Sequence, residues 1–190
     1  NGTPFFPITP FMLDKPYISE WQSKQYINTL CMEGYYKEGH NLDTWQNYLN
    51  KAQNHDIYVI GPGRWKGTVG LHFGRNSDIH SMAQYVNTTT DHPSLFAWFW
   101  DDEPNMGGRH QKVPPQVLSA WSYICRNNDP HHPTYTNQYG YDYLPYYDRG
   151  GVRIGTRYDY LASTSQYGGK KHFPFDIMSF DIYPLEYRNH

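Results

Sequence analysis

Residues Leu95-Phe-Ala-Trp-Phe-Trp100 form an unbroken apolar run that opens just after His92-Pro93 and turns abruptly into Asp101-Asp-Glu103 and Pro104. A run of this kind, bounded by prolines, leaves no polar face for solvent and predicts a strand buried on both sides, the pattern of a parallel sheet. Three carboxylates at the end of such a strand would repel one another and be poorly solvated, unless a polar cleft or a ligand meets the sheet there. In parallel α/β architectures that meeting place is the carboxyl end of the strands.

The rest of the chain alternates strand and helix around this segment. Three prolines between 4 and 11 exclude a helix and predict a first, irregular strand. Ser19 caps a predicted helix over 20–32, in which Trp21, Tyr26, Ile27, Leu30 and Cys31 recur at helical spacing, and Gly34 ends it. A weak strand over 35–40 follows. Asn41 or Asp43 then caps a helix with Trp45, Tyr48, Leu49 and Ala52 on one face. A third strand over 57–60 stops at the turn signal Gly61-Pro-Gly63. A helical pattern over 78–86 leads into the acid-ended strand, the fourth. Pro114-Pro115 starts a helix through Val117, Leu118, Trp121 and Ile124, which Asp129-Pro-His-His-Pro133 breaks. A fifth strand over 134–139, a Tyr- and Gly-rich excursion and a sixth strand over 175–184 complete the order.

Repeated βαβ units of this kind fit a doubly wound sheet or a (β/α)8 barrel. A doubly wound nucleotide binder should carry a glycine-rich phosphate turn after its first strand, and none is present. The expected fold is therefore α/β, a (β/α)8 TIM barrel. A complete barrel needs about 250 residues, and this chain has 190, so the barrel is read as incomplete or truncated, with about six βα units visible.

The chemistry is bounded by composition. A formal charge of -2 gives no electrostatic case for nucleic acid, and no apolar run is long enough for a membrane span. The 19 Tyr and 6 Trp exceed what a core of this size needs, and flat rings beside carboxylates suit the C–H faces and hydroxyls of sugars. The expected partner is a carbohydrate. The ten histidines form no metal-ligand spacing, there is no Gly-x-Ser-x-Gly elbow, and no cofactor is implied. Cys31 and Cys125, read on helices one and four, are expected to be buried thiols too far apart to bridge. His92, His131 and His132 read as turn residues. Asn1-Gly-Thr3 and Asn87-Thr-Thr89 match the N-glycosylation acceptor pattern, which points to a secreted or extracellular protein. The start at Asn1 without methionine reads as a processed or excised chain.

Strict alternation along the fourth strand puts Leu95, Ala97, Phe99, Asp101 and Glu103 on one face and Phe96, Trp98, Trp100 and Asp102 on the other. Small Ala97 fits a crowded barrel interior, so Glu103 would point inward at the mouth with Asp102 beside it. Other strand-end residues expected to wall a cleft are Arg64, Trp65, Asn137, Tyr139, Asp181 and Tyr183. For Asp181 a buried acid bonded to a neighbouring strand is an equal alternative.

Asp102-Glu103-Pro104 at the end of the fourth strand resembles the retaining glycoside hydrolases on (β/α)8 barrels known as clan A, in which a polar residue precedes the acid/base glutamate and a proline. The segments Asn1-Gly-Thr-Pro-Phe-Phe-Pro-Ile8, His92-Pro-Ser-Leu-Phe-Ala-Trp98, Asp129-Pro-His-His-Pro133 and Asp181-Ile-Tyr-Pro184 follow in the order such enzymes show. The resemblance implies one glycosidase-like barrel domain over residues 1–190, with Glu103 as general acid/base and Asp102 against the sugar; Asp101 and Trp100 beside them are further expected substrate-binding residues. To act near neutral pH the Glu103 carboxyl must rise above the ~4.3 of free glutamate, which Trp98, Trp100 and the neighbouring acids would promote. Asp102 stands where the family more often has Asn, and an aspartate there accepts but does not donate unless protonated. The family's nucleophile is a glutamate ending the seventh strand, which this chain does not include; Glu186 falls on the wrong strand. Two alternatives stay open: an inactive barrel that binds carbohydrate or serves as an extracellular module, and another barrel enzyme acting on a small polar substrate.

Overall fold

The computed structural model of the chain describes residues 5–9, 27–31, 42–62, 76–102, 115–139, 146–147, 153–155 and 175–181. Five strands in those residues run parallel: β1 (Thr29–Cys31), β2 (Tyr58–Pro62), β3 (Leu95–Asp102), β4 (Thr134–Tyr139) and β7 (Ile177–Asp181). Their order across the sheet is β1-β2-β3-β4-β7, so each lies beside its predecessor. The crossovers carry α1 (Leu42–Gln53), α2 (Asn76–Thr89) and α3 (Pro115–Asn128). Between β4 and β7 the described residues hold no helix but an antiparallel ribbon of β5 (Tyr146–Tyr147) and β6 (Arg153–Gly155). A doubly wound sheet reverses direction at a switch point. Among the described residues this sheet does not, and it forms an α/β half-barrel.

The helices form where the sequence places apolar residues at helical spacing. α1 buries Trp45, Tyr48, Leu49 and Ala52 and leaves Asp43, Asn47 and Lys51 exposed. It begins at Leu42, so Asp43 lies inside the first turn. Its carboxyl end closes in a Schellman pattern: Ile57 N–H bonds Ala52 C=O and Asp56 N–H bonds Gln53 C=O. Asp56 there adopts a φ of 53°. α3 starts at Pro115, where the missing N–H matters least, and Asp129-Pro130 ends it.

Two apolar clusters lie on opposite faces of the sheet. Leu30, Val59, Leu95 and Trp98 pack with Trp45, Leu49, Val86, Trp121 and Ile124 of the helices. Cys31, Ile60, Ala97 and Phe99 form the inner cluster, with Phe96 and Tyr135 against it. The face assignment by strict alternation therefore fails at the start of β3: Leu95 belongs to the helix side and Phe96 to the inner side. The cause is an irregular register. Val59 pairs with Leu95 but Ile60 pairs with Ala97, so Phe96 is an extra residue. From Ala97 to Phe99 the expected faces hold.

Other expectations are also corrected. The end of the helix read over 20–32 is the strand β1, whose Thr29, Leu30 and Cys31 are all buried and pair with Tyr58, Val59 and Ile60; Cys31 is thus a strand residue and Cys125 lies on α3. Both are buried thiols, as expected. Residues 5–9 form no strand, but Ile8 C=O accepts from the N–H groups of Asn28 and Thr29 at the β1 edge. β2 continues through Gly61 and Pro62, past the predicted stop. The weak strand read over 35–40 lies outside the described residues, among which five strands run parallel.

Candidate functional site

Because the five strands are parallel, their carboxyl ends share one edge. The register sets Asp102 opposite Asn137, Asn137 opposite Ser179, and Tyr139 opposite Asp181. Four residues singled out in the sequence thus occupy two rows, Asp102 and Asn137 across β3 and β4 and Tyr139 and Asp181 across β4 and β7, with the pair Gln138–Phe180 between them. Trp100 and Asp101 lie where β3 is irregular for a second time, since Phe99 pairs with Tyr135 and the next pair is Asp102 with Asn137. Alternation consequently cannot be carried from Phe99 to Glu103. Glu103 follows the last residue of β3 and lies outside the described residues, as do Arg64, Trp65, Tyr183 and Asn1.

Asn137 is 2% exposed and its amide is fixed by a hydroxyl relay. Ser179 Oγ donates to Asn137 Oδ1 at 2.6 Å, and the Tyr135 hydroxyl lies 2.6 Å from the same Ser179 oxygen. A serine has one proton to give. Tyr135 is therefore the donor to Ser179, and the relay runs Tyr135 to Ser179 to Asn137. The Tyr135 ring in turn meets Phe99 edge-on at 5.3 Å. An amide oriented in this way beside acid-bearing positions suits a ligand rich in hydroxyl groups, which needs donors and acceptors together. Tyr135 and Ser179 were not singled out as site residues, although alternation places them on the faces of Asn137 and Asp181; the strand-end criterion passed over them because Tyr135 lies two residues before Asn137 on β4 and Ser179 two before Asp181 on β7.

The charged groups at the amino end of β4 hold the fold. Asp129 is fully buried and accepts from Trp98 Nε1 at 2.9 Å, His132 Nδ1 at 2.7 Å and the backbone N–H groups of His131 and His132. Burial alone would raise its carboxyl, but these bonds hold it below the ordinary carboxylate value. Asp176 is likewise desolvated yet held low by Arg126 and Thr134. Trp98 is thus tied beneath the helices and does not line the inner face. His131 and His132 occupy the turn before β4, and His92 the turn before β3, as expected. Among the described residues no group of three or more His, Cys, Asp or Glu could hold a metal ion, and no helix is long and apolar enough to cross a membrane.

No family model and no curated protein matches the chain. Solved structures that resemble it include glycoside hydrolases. A beta-galactosidase from Rahnella sp. R3 aligns over 95% of this chain and 40% of its own, with a TM-score of 0.55 and 10% identity. A glycosyl hydrolase family 2 member from Bacteroides cellulosilyticus aligns over 89% of this chain and 19% of its own, with a TM-score of 0.51 and 13% identity. A beta-1,4-D-mannanase from Cryptopygus antarcticus gives a weaker likeness, a TM-score of 0.47 over 73% of this chain and 53% of its own. At these identities the likeness is one of fold, and the chain spans about half or less of each relative.

Proposed function

We propose that residues 1–190 belong to a glycosidase-like barrel domain, in an extracellular protein, that cleaves a β-linked sugar at the carboxyl edge of the sheet by a retaining mechanism, with Glu103 as general acid/base. The observation that carries this reading is the pair of rows Asp102–Asn137–Ser179 and Tyr139–Asp181 at that edge, from which Asp102-Glu103-Pro104 continues the chain. A retaining enzyme needs one carboxyl to protonate the leaving oxygen and a second, ~5 Å away, to attack the anomeric carbon. Glu103 takes the first role. Asn137, oriented by Ser179 and Tyr135, contributes hydrogen bonds to the sugar, and Asp102, Asp101, Trp100, Asp181, Tyr139, Tyr183, Arg64 and Trp65 complete the walls. None of the residues named here is assigned the role of the second carboxylate.

A second reading has one observation in its favour. The row nearest Asp102 continues in the neutral residues Asn137 and Ser179, an arrangement that also suits a barrel binding carbohydrate without cleaving it.

The test compares wild type, carrying its full carboxyl-terminal sequence, with Glu103→Gln on a panel of aryl β-glycosides. The hydrolase reading expects a loss of about 10²-fold or more in kcat, the range for removing a general acid. Binding of the sugar without turnover by wild type points to the binding module. Equal rates in the two proteins remove Glu103 from the mechanism.

A further inference from the structure

The acceptor pattern Asn87-Thr88-Thr89 is divided by the fold into an exposed half and a buried half. Asn87 and Thr88 are exposed in the last turn of α2. Thr89 is 2% exposed. Its Oγ1 accepts the Trp45 indole N–H at 3.1 Å and donates to the Tyr85 carbonyl at 2.9 Å. We propose that Asn87 carries an N-linked glycan that is attached only before α2 docks on α1. The proposal stands apart from the glycosidase reading and fails or survives separately from it.

The chemistry requires that order. In N-glycosylation the Asn87 Nδ2 forms a bond to the anomeric carbon of a lipid diphosphate-linked oligosaccharide. The bond from that carbon to the diphosphate oxygen breaks, the lipid diphosphate leaves with the electron pair, and the nitrogen loses one proton. The transferase holds the hydroxyl of the third acceptor residue during this step, and it needs an accessible, non-helical backbone. In the folded chain the Thr89 hydroxyl has given its proton to Tyr85 C=O and its oxygen to Trp45, inside the helix–sheet core. The Asn87 side chain, by contrast, faces water, so a glycan already in place is left outside when the helix packs. The site also lies away from the proposed cleft. α2 ends where the chain turns into the amino end of β3, and Asp102 is seven residues along that strand, roughly 20 Å at the rise of a β-strand.

The full chain is made behind a secretion signal in a eukaryotic cell, as wild type and as Asn87→Gln. The wild type should carry one more glycan than the variant, removed by peptide N-glycosidase; no difference between them overturns the site. Unglycosylated full-length protein, purified folded from a bacterial host, is then offered to purified oligosaccharyltransferase with its lipid-linked donor. A peptide of residues 82–92, too short to hold a helix by itself, is the comparison. The peptide should be modified at Asn87 and the folded chain at least ten-fold more slowly. Equal rates at Asn87 would overturn the folding-order half of the proposal.

Discussion

Asp129 illustrates how a single buried charge organises the amino end of β4. It has no exposed surface, and four donors converge on its two oxygens. Its folded-state carboxyl lies below the ordinary 3.8, so its contribution to stability is complete above that value and is lost as pH falls toward the folded one. Asp129→Asn keeps the shape, but one oxygen acceptor becomes a donor that faces other donors. We expect a loss of about 2 kcal/mol at neutral pH, read by urea unfolding, and a gap between variant and wild type that narrows between about pH 5 and pH 3. A gap unchanged across that interval would show that the carboxylate's charge is not its source. This role was hidden in the sequence. Asp129-Pro-His-His-Pro133 read correctly as a turn, but nothing in the local pattern shows that Trp98, 31 residues earlier, is the side chain it holds.

Among the elements, α1 and α3 were legible because a single face carries their apolar residues, and β3 because its run is too long and too apolar to be a surface loop. β1 was not. Ile27, Leu30 and Cys31 fall at helical spacing, yet a short apolar segment satisfies helix and strand periods alike, and the unpaired edge of β2 decides the matter by offering Thr29–Cys31 backbone partners. The two irregularities of β3 were equally invisible, because an extra residue in a strand is defined only against its neighbours. For the same reason Asn137 and Asp181 could be named as strand-end residues, while the hydroxyl relay through Ser179 could not. The end of α1 offers a test at this scale. Asp56 occupies the left-handed position of a Schellman closure, a conformation glycine adopts without strain. Asp56→Gly should raise stability by up to about 1 kcal/mol, and Asp56→Val should lower it by a similar amount or more. If thermal unfolding shows the glycine variant to be the less stable, the closure is not what limits that helix end. Leu49→Ala, on the buried face of the same helix, should cost about 2–5 kcal/mol.

At the scale of the molecule, burial is concentrated around β2 and β3, which have strands on both sides and a cluster on each face. β7 lies at the end of the strand order and begins with Ile177, 39% exposed. Stability should be distributed in the same way. Native-state hydrogen exchange should find the amides of Val59, Ile60, Ala97 and Phe99 the slowest, and those of β7 and of residues 5–9 faster by about 10²-fold or more. β7 amides as slow as those of β3 would mean that the sheet opens only as a unit. Alternating strand and helix in the sequence made the parallel sheet legible; the ribbon of β5 and β6 was not, because its two- and three-residue strands carry no period.

The strand order has a consequence for how such a chain comes into being. Thr29 meets Tyr58, Val59 meets Leu95, Trp98 meets Thr134, and Tyr135 meets Ile177, so every pairing in the parallel sheet joins segments about 30 to 40 residues apart. A polypeptide leaving the ribosome from its amino end always finds the partner of its newest strand already outside, since synthesis at roughly 5–20 residues per second leaves seconds between successive strands. Assembly can then keep pace with translation, each addition covering the edge that the previous one exposed.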